Sequence, residues 1–93
     1  MRKSIHTAGY AVLRARLTAA RREAGLSQRG LALKLDVAHS VVAKIESGER
    51  RVDPVEVCWY LRACKADVAD VVAAVCAQAG RPTASARPTG AKR

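Results

Sequence analysis

The sequence predicts an all-α fold, a compact domain of five short helices with a basic tail. Three observations predict it. Apolar residues recur three and four apart through most of the chain. Glycine, proline and aspartate interrupt that pattern where helices would end and begin. No stretch alternates polar and apolar residues as a half-buried strand does. At 93 residues the chain is long enough for one domain, and 49% hydrophobic residues is the proportion of a globular protein, not of a disordered one. Apolar content is carried by Ala, Val and Leu, with no Phe, one Trp and two Tyr. Such small side chains suit helices that approach one another tightly.

The first helix is expected over about Tyr10–Ala24, after Gly9, with Leu13, Leu17, Ala20 and Ala24 facing inward and Arg14, Arg16, Arg21 and Arg22 elsewhere. Gly25 stands where a left-handed C-terminal cap belongs. Ser27 can cap the second helix, about Gln28–Leu35, whose buried edge is Leu31, Ala32 and Leu35. A break at Asp36–Ala38 leads to the third helix, about His39–Ser47, with Val37, Val42 and Ile45 turned inward and Gly48 ending it. Asp53-Pro54-Val55-Glu56 is a start signal: an Asp N-cap, Pro in the first helical position, and an acid three residues after the cap. The fourth helix carries Val57, Cys58, Leu61 and Cys64 on one stripe. Asp67 and Asp70 open a fifth, with Val68, Val71, Val72, Val75 and Cys76, and Gly80 ends it. The expected organisation is a basic arm over residues 1–9, a helical domain over 10–80 and a disordered basic tail over 81–93.

Charge is unevenly distributed. The net +9 comes from a first third (residues 1–34) with eight basic groups and one acid, a middle (35–70) with five basic and seven acidic groups, and a remainder with four basic groups and none acidic. A field of that kind attracts phosphates or an anionic surface and says nothing about fold. Membrane insertion is set aside, because the longest apolar run, Val71–Ala77, falls far short of the roughly 20 residues of a spanning helix. Cys58, Cys64 and Cys76 are odd in number and lack CxxC spacing, so they read as reduced thiols in a cytoplasmic protein. His6 and His39 stand too far apart to suggest a metal. Paired carboxylates, a nucleophile with its base and a phosphate-cradling loop are all lacking, so no enzyme, cofactor or small-molecule ligand is expected.

Two short helices joined by a tight turn behind a basic helix have the layout of a helix-turn-helix DNA reader. Gly25-Leu26-Ser27-Gln28-x-x-Leu31-Ala32-x-x-Leu35, followed by Val42-x-Lys44-Ile45-Glu46-x-Gly48-Glu49-Arg50, resembles the Cro/C1-type helix-turn-helix family, also called xenobiotic-response-element or lambda-repressor-like. The resemblance covers about Leu13–Val72. It implies a sequence-specific double-stranded DNA-binding transcriptional regulator, a repressor acting as a dimer on a two-fold symmetric operator, with the third helix in the major groove.

On that resemblance the base-contacting residues are His39, Ser40, Val41 and Lys44: His39 and Ser40 as hydrogen-bonding groups, Val41 toward a thymine methyl, Lys44 toward guanine O6 and N7. Phosphate contacts fall on Ser27, Gln28 and Arg29 at the start of the second helix, and on Arg50 and Arg51 after the third. Glu46 occupies the position that pairs with a basic residue of the first helix, here Arg21, which would fix the angle of the third helix. Three residues depart from the family pattern: Asp36 stands where the turn usually has Gly, Ala38 where the cap is usually Ser or Thr, and Gly30 inside the second helix. Trp59, Tyr60 and the outer valines of the fifth helix are the candidate dimer surfaces. The rival expectation is an antitoxin-like or adaptor module that uses the same fold to hold a partner protein.

Overall fold

The computed structural model describes residues 7–80, and the basic tail and all but the last three residues of the N-terminal arm lie outside them. The described residues form α1 (Ala8–Glu23), α2 (Gln28–Leu35), α3 (His39–Ser47), α4 (Pro54–Ala63) and α5 (Val68–Ala79), with no strand among them. None of these helices is long and apolar enough to cross a membrane. α2 and α3 occupy the expected spans, while α1 begins two residues early. Thr7 explains this: its hydroxyl accepts a hydrogen bond from the Tyr10 amide at 3.2 Å and caps the helix ahead of Gly9. Gly9 therefore lies inside α1, where the helix crosses the end of α5 so closely that a Cβ would sit 3.0 Å from the Ala79 Cα.

Leu17, Leu31, Val42, Tyr60 and Leu61 are the fully buried centre, contributed by four helices, and α5 closes the core with Val71. α1 makes its most extensive contact with α5, and α2 with α3, so the short pair is held as a unit against the longer helices. Two inward residues differ from expectation. Ala24 is exposed, and Arg21 is buried one turn earlier in its place. Along α4 and its C-cap the buried stripe is Val57, Tyr60, Leu61 and Cys64, at steps of three, one and three residues, which leaves Cys58 exposed and draws Tyr60 inside.

Local chemistry sets the helix ends. Ser27 Oγ accepts from the Gly30 amide at 2.9 Å. Asp53 and Glu56 form a reciprocal capping box, Glu56 N–H to Asp53 Oδ1 at 2.8 Å and Asp53 N–H to Glu56 Oε1 at 3.1 Å. Asp67 caps α5 through the Asp70 amide at 3.2 Å. The loop before α4 is tied to α1 by the Val52 amide, which donates to the Tyr10 hydroxyl at 2.7 Å. Asp36 adopts the left-handed conformation (φ 58°, ψ 46°) that glycine would take without steric cost. Ala38 begins α3 with no side-chain cap.

That missing cap gives a direct test. Ala38 already has the extended backbone of an N-cap (φ −68°, ψ 146°), so Ala38→Ser adds an acceptor without moving the chain. It should stabilise the domain by about 1 kcal/mol, a rise in melting temperature of roughly 4–8 °C for a domain of this size, measured by thermal denaturation.

Candidate nucleic-acid interface

The α2–turn–α3 unit is closed by backbone hydrogen bonds, Asp36 N–H to Leu33 O at 3.2 Å and Val37 N–H to Ala32 O at 3.0 Å. Val42 and Ile45 anchor α3 in the core and leave His39, Ser40 and Lys44 exposed on the other side. Val41 is half-buried and packed against the core, so only part of its side chain is offered outward. Ser27 and Arg29 are exposed at the start of α2, and Gln28 between them is half-buried.

Behind this surface one carboxylate joins four helices. Glu46 of α3 receives Arg21 Nε at 2.7 Å and Arg21 Nη2 at 3.0 Å from α1, and Gln28 Nε2 at 3.0 Å from α2. The Tyr60 hydroxyl of α4 donates to the same carboxylate. Arg21 uses its remaining arm on the Leu26 carbonyl at 2.9 Å, which fixes the α1–α2 turn. Both charged side chains are nearly inaccessible, 9% exposed for Arg21 and 6% for Glu46. Every buried side-chain nitrogen and oxygen among the described residues has a hydrogen-bond partner.

Burial alone would push the Glu46 carboxyl up, but hydrogen bonds from Arg21, Tyr60 and Gln28, with the charge of Arg21, outweigh it and hold the group below the usual carboxylate range. Burial, and then the hydrogen bond to Glu46, push the Tyr60 phenol far above its ordinary value, so it is a neutral donor at every physiological pH. Burial likewise raises the Cys64 thiol.

The site departs from the sequence expectation at Tyr60, and two of the expected phosphate contacts, Arg50 and Gln28, have further partners. Tyr60 is 1% exposed and cannot form part of a dimer surface, because its ring is in the core and its hydroxyl is engaged by Glu46. Arg50 is committed to α4: its guanidinium makes two bonds to Glu56, at 3.1 and 2.7 Å, and one to the Arg51 carbonyl at 2.9 Å. It therefore braces the loop that carries Arg51, with 37% of its side chain still exposed. Gln28 turns one amide N–H toward Glu46 and keeps the other uncommitted. Sequence reasoning also missed a basic face of α1. Arg14, Thr18 and Arg22, spaced by four, line a groove of about 400 Å³ that reaches Glu46. Arg14 lies over the Tyr10 ring, 5.9 Å from its centroid, and against Gly48, the α3 C-cap, which holds this face beside α3. The four-residue recurrence was the available signal. No cluster of His, Cys, Asp and Glu among the described residues could hold a metal.

Glu46→Ala strands the buried Arg21 charge and should cost about 3–5 kcal/mol in stability, together with duplex affinity. An unchanged melting temperature would contradict the geometry. The pH dependence has a definite sign. The folded pKa of Glu46 lies below the unfolded one, so its contribution is complete above the ordinary carboxylate range and is lost as pH falls through the folded value. Glu46→Gln should therefore flatten the acid limb of the stability profile in denaturant titrations at stepped pH.

The helix-turn-helix domain family matches residues 12–75, which take in α2, α3 and α4 whole and most of α1 and α5. No curated protein matches the chain closely enough to add a relative. The matched family falls in the Cro/C1-type, XRE-like group, and it supports DNA binding in transcriptional regulation. With well over half of its residues inside that match, and with α2 and α3 in the two-helix arrangement just described, the chain belongs to the helix-turn-helix domain family.

Proposed function

We propose that the protein is a sequence-specific transcriptional repressor that binds a two-fold symmetric duplex as a homodimer, in the cytoplasm, with α3 in the major groove. The observation that carries the proposal is the Glu46 network. It fixes the angle at which α3 holds out His39, Ser40 and Lys44, and the start of α2 is tied to the same carboxylate through Gln28. A reading helix with a fixed angle can meet a repeating duplex surface in one register only.

Lys44 would take guanine O6 and N7, and His39 and Ser40 would hydrogen-bond at neighbouring base edges, with Val41 near a thymine methyl. Phosphates would be met by Ser27, Arg29, Arg51 and the uncommitted N–H of Gln28, helped by the positive end of α2. Arg50 serves this interface from behind, by bracing the loop. Dimerisation has a surface to use. An apolar groove of about 280 Å³ runs between α4 and α5, where Val72 is 48% exposed, and no charged residue lines it. An isologous contact there opposes apolar surface to apolar surface. Repression is the simplest outcome for a small domain that occupies a regulatory duplex.

Selection of bound duplexes from a random pool tests the proposal, and a two-fold symmetric consensus is expected. Lys44→Ala should weaken the selected duplex by about 1–3 kcal/mol and relax one base position. Arg29→Ala should weaken selected and random duplexes alike and lower the salt slope by about one. Equal binding of selected and random duplexes as salt rises would end the sequence-specific reading.

A further inference from the structure

Four large apolar side chains stand exposed among the described residues: Leu33, Val55, Trp59 and Val72. Val72 belongs to the groove between α4 and α5. The other three lie on α2 and α4, and Val55 and Trp59 are one turn apart on the same face of α4. Trp59 is 55% exposed. With Leu35 and Ala63 it forms the apolar lining of a second groove, about 500 Å³, between α2 and α4. The only other residues lining that groove are Lys34 and Arg62. Neither side chain has a hydrogen bond or ion pair among the described residues, whereas Arg21 and Arg50 both bond to carboxylates. No residue of α3 lines the groove.

The edge chemistry decides among three occupants. In a second copy of this chain, a two-fold contact here would bring two more cations, its Lys34 and Arg62, into the same groove. A duplex would satisfy the two cations with phosphates but would press polar backbone onto Trp59 and Leu35, since its bases are stacked away from an aromatic face. A protein segment with apolar residues flanked by carboxylates satisfies both parts at once. Its apolar side chains would cover the indole, and its acids would meet the two unpaired cations.

We propose that the groove between α2 and α4 is a docking site for an acidic amphipathic segment of a partner protein, anchored on Trp59 and held by Lys34 and Arg62. The site is separate from the exposed face of α3, so it does not depend on the DNA reading, and one molecule can engage duplex and partner together.

Trp59 is the single tryptophan of the chain, so its emission reports on the site directly. The test is selection from a random-peptide display library on the full-length protein, with the Trp59→Ala protein as counter-selection. Surviving peptides should carry apolar residues bounded by Asp and Glu and should shift Trp59 emission to the blue. The Lys34→Glu/Arg62→Glu protein, with an unchanged melting temperature, should bind them roughly tenfold more weakly or worse. Several results would overturn the proposal: no survivors, neutral or basic survivors, or affinity indifferent to the double charge reversal. A red shift on dilution without peptide would make the occupant a second copy. A blue shift on adding random duplex, abolished by the charge reversal, would make it nucleic acid. Failure of the DNA reading is seen separately, as equal binding of selected and random duplexes by a protein that still binds its peptides.

Discussion

The Glu46 carboxylate is the constraint on which the rest of the molecule depends. It is the common acceptor for side chains of α1, α2 and α4 while belonging to α3, so four of the five helices meet at two oxygen atoms. A buried ion pair of this kind adds little net stability, because desolvation offsets most of the attraction. Its effect is geometric. Apolar contacts among Leu17, Leu31, Val42 and Leu61 would tolerate small rotations of one short helix on another. Fork-shaped hydrogen bonds from a guanidinium tolerate much less. A helix of nine residues gains more from direction than from energy at such a junction.

The same division of labour appears at the margins of the site. Arg50 could have served as one more cation on a basic surface, yet its bonds to Glu56 join the loop after α3 to the capping box of α4. Glu56 thus completes a helix start and orients a loop with the same carboxylate. Arg14 repeats the pattern on α1, lying over Tyr10 while Tyr10 accepts the Val52 amide. Much of the positive charge near α3 is therefore structural as well as attractive. The positive field of the domain is built partly from residues that hold α3 and its following loop in place.

Much of this was legible in the sequence, and what was not had physical reasons. The spans of α2 and α3 followed from Ser27, Gly48 and the spacing of Leu31, Ala32, Val42 and Ile45, all of which act within a few residues. The Arg21–Glu46 pair followed from family resemblance, since nothing local joins residues 25 apart. Tyr60 was misplaced because a phenol reads as a surface residue until its hydroxyl has an acceptor, and that acceptor lies on another helix. The Arg50–Glu56 pair spans six residues, but only the capping box brings the carboxylate back to the loop. The early start of α1 was available in Thr7, which the glycine two residues later concealed.

That glycine has a topological consequence. Because Gly9 lets the start of α1 lie against Ala79, the two ends of the described fold meet at one point on its surface. The path of the backbone from residue 7 to residue 80 is then nearly a closed ring, and ring closure is where a chain spends little further entropy once its helices are docked. The order in which the helices occur along the polypeptide is thus only weakly coupled to their arrangement in space. A chain opened in the loop between α3 and α4 and joined between residues 7 and 80 would keep the same neighbours for every helix, with Glu46 still at their centre.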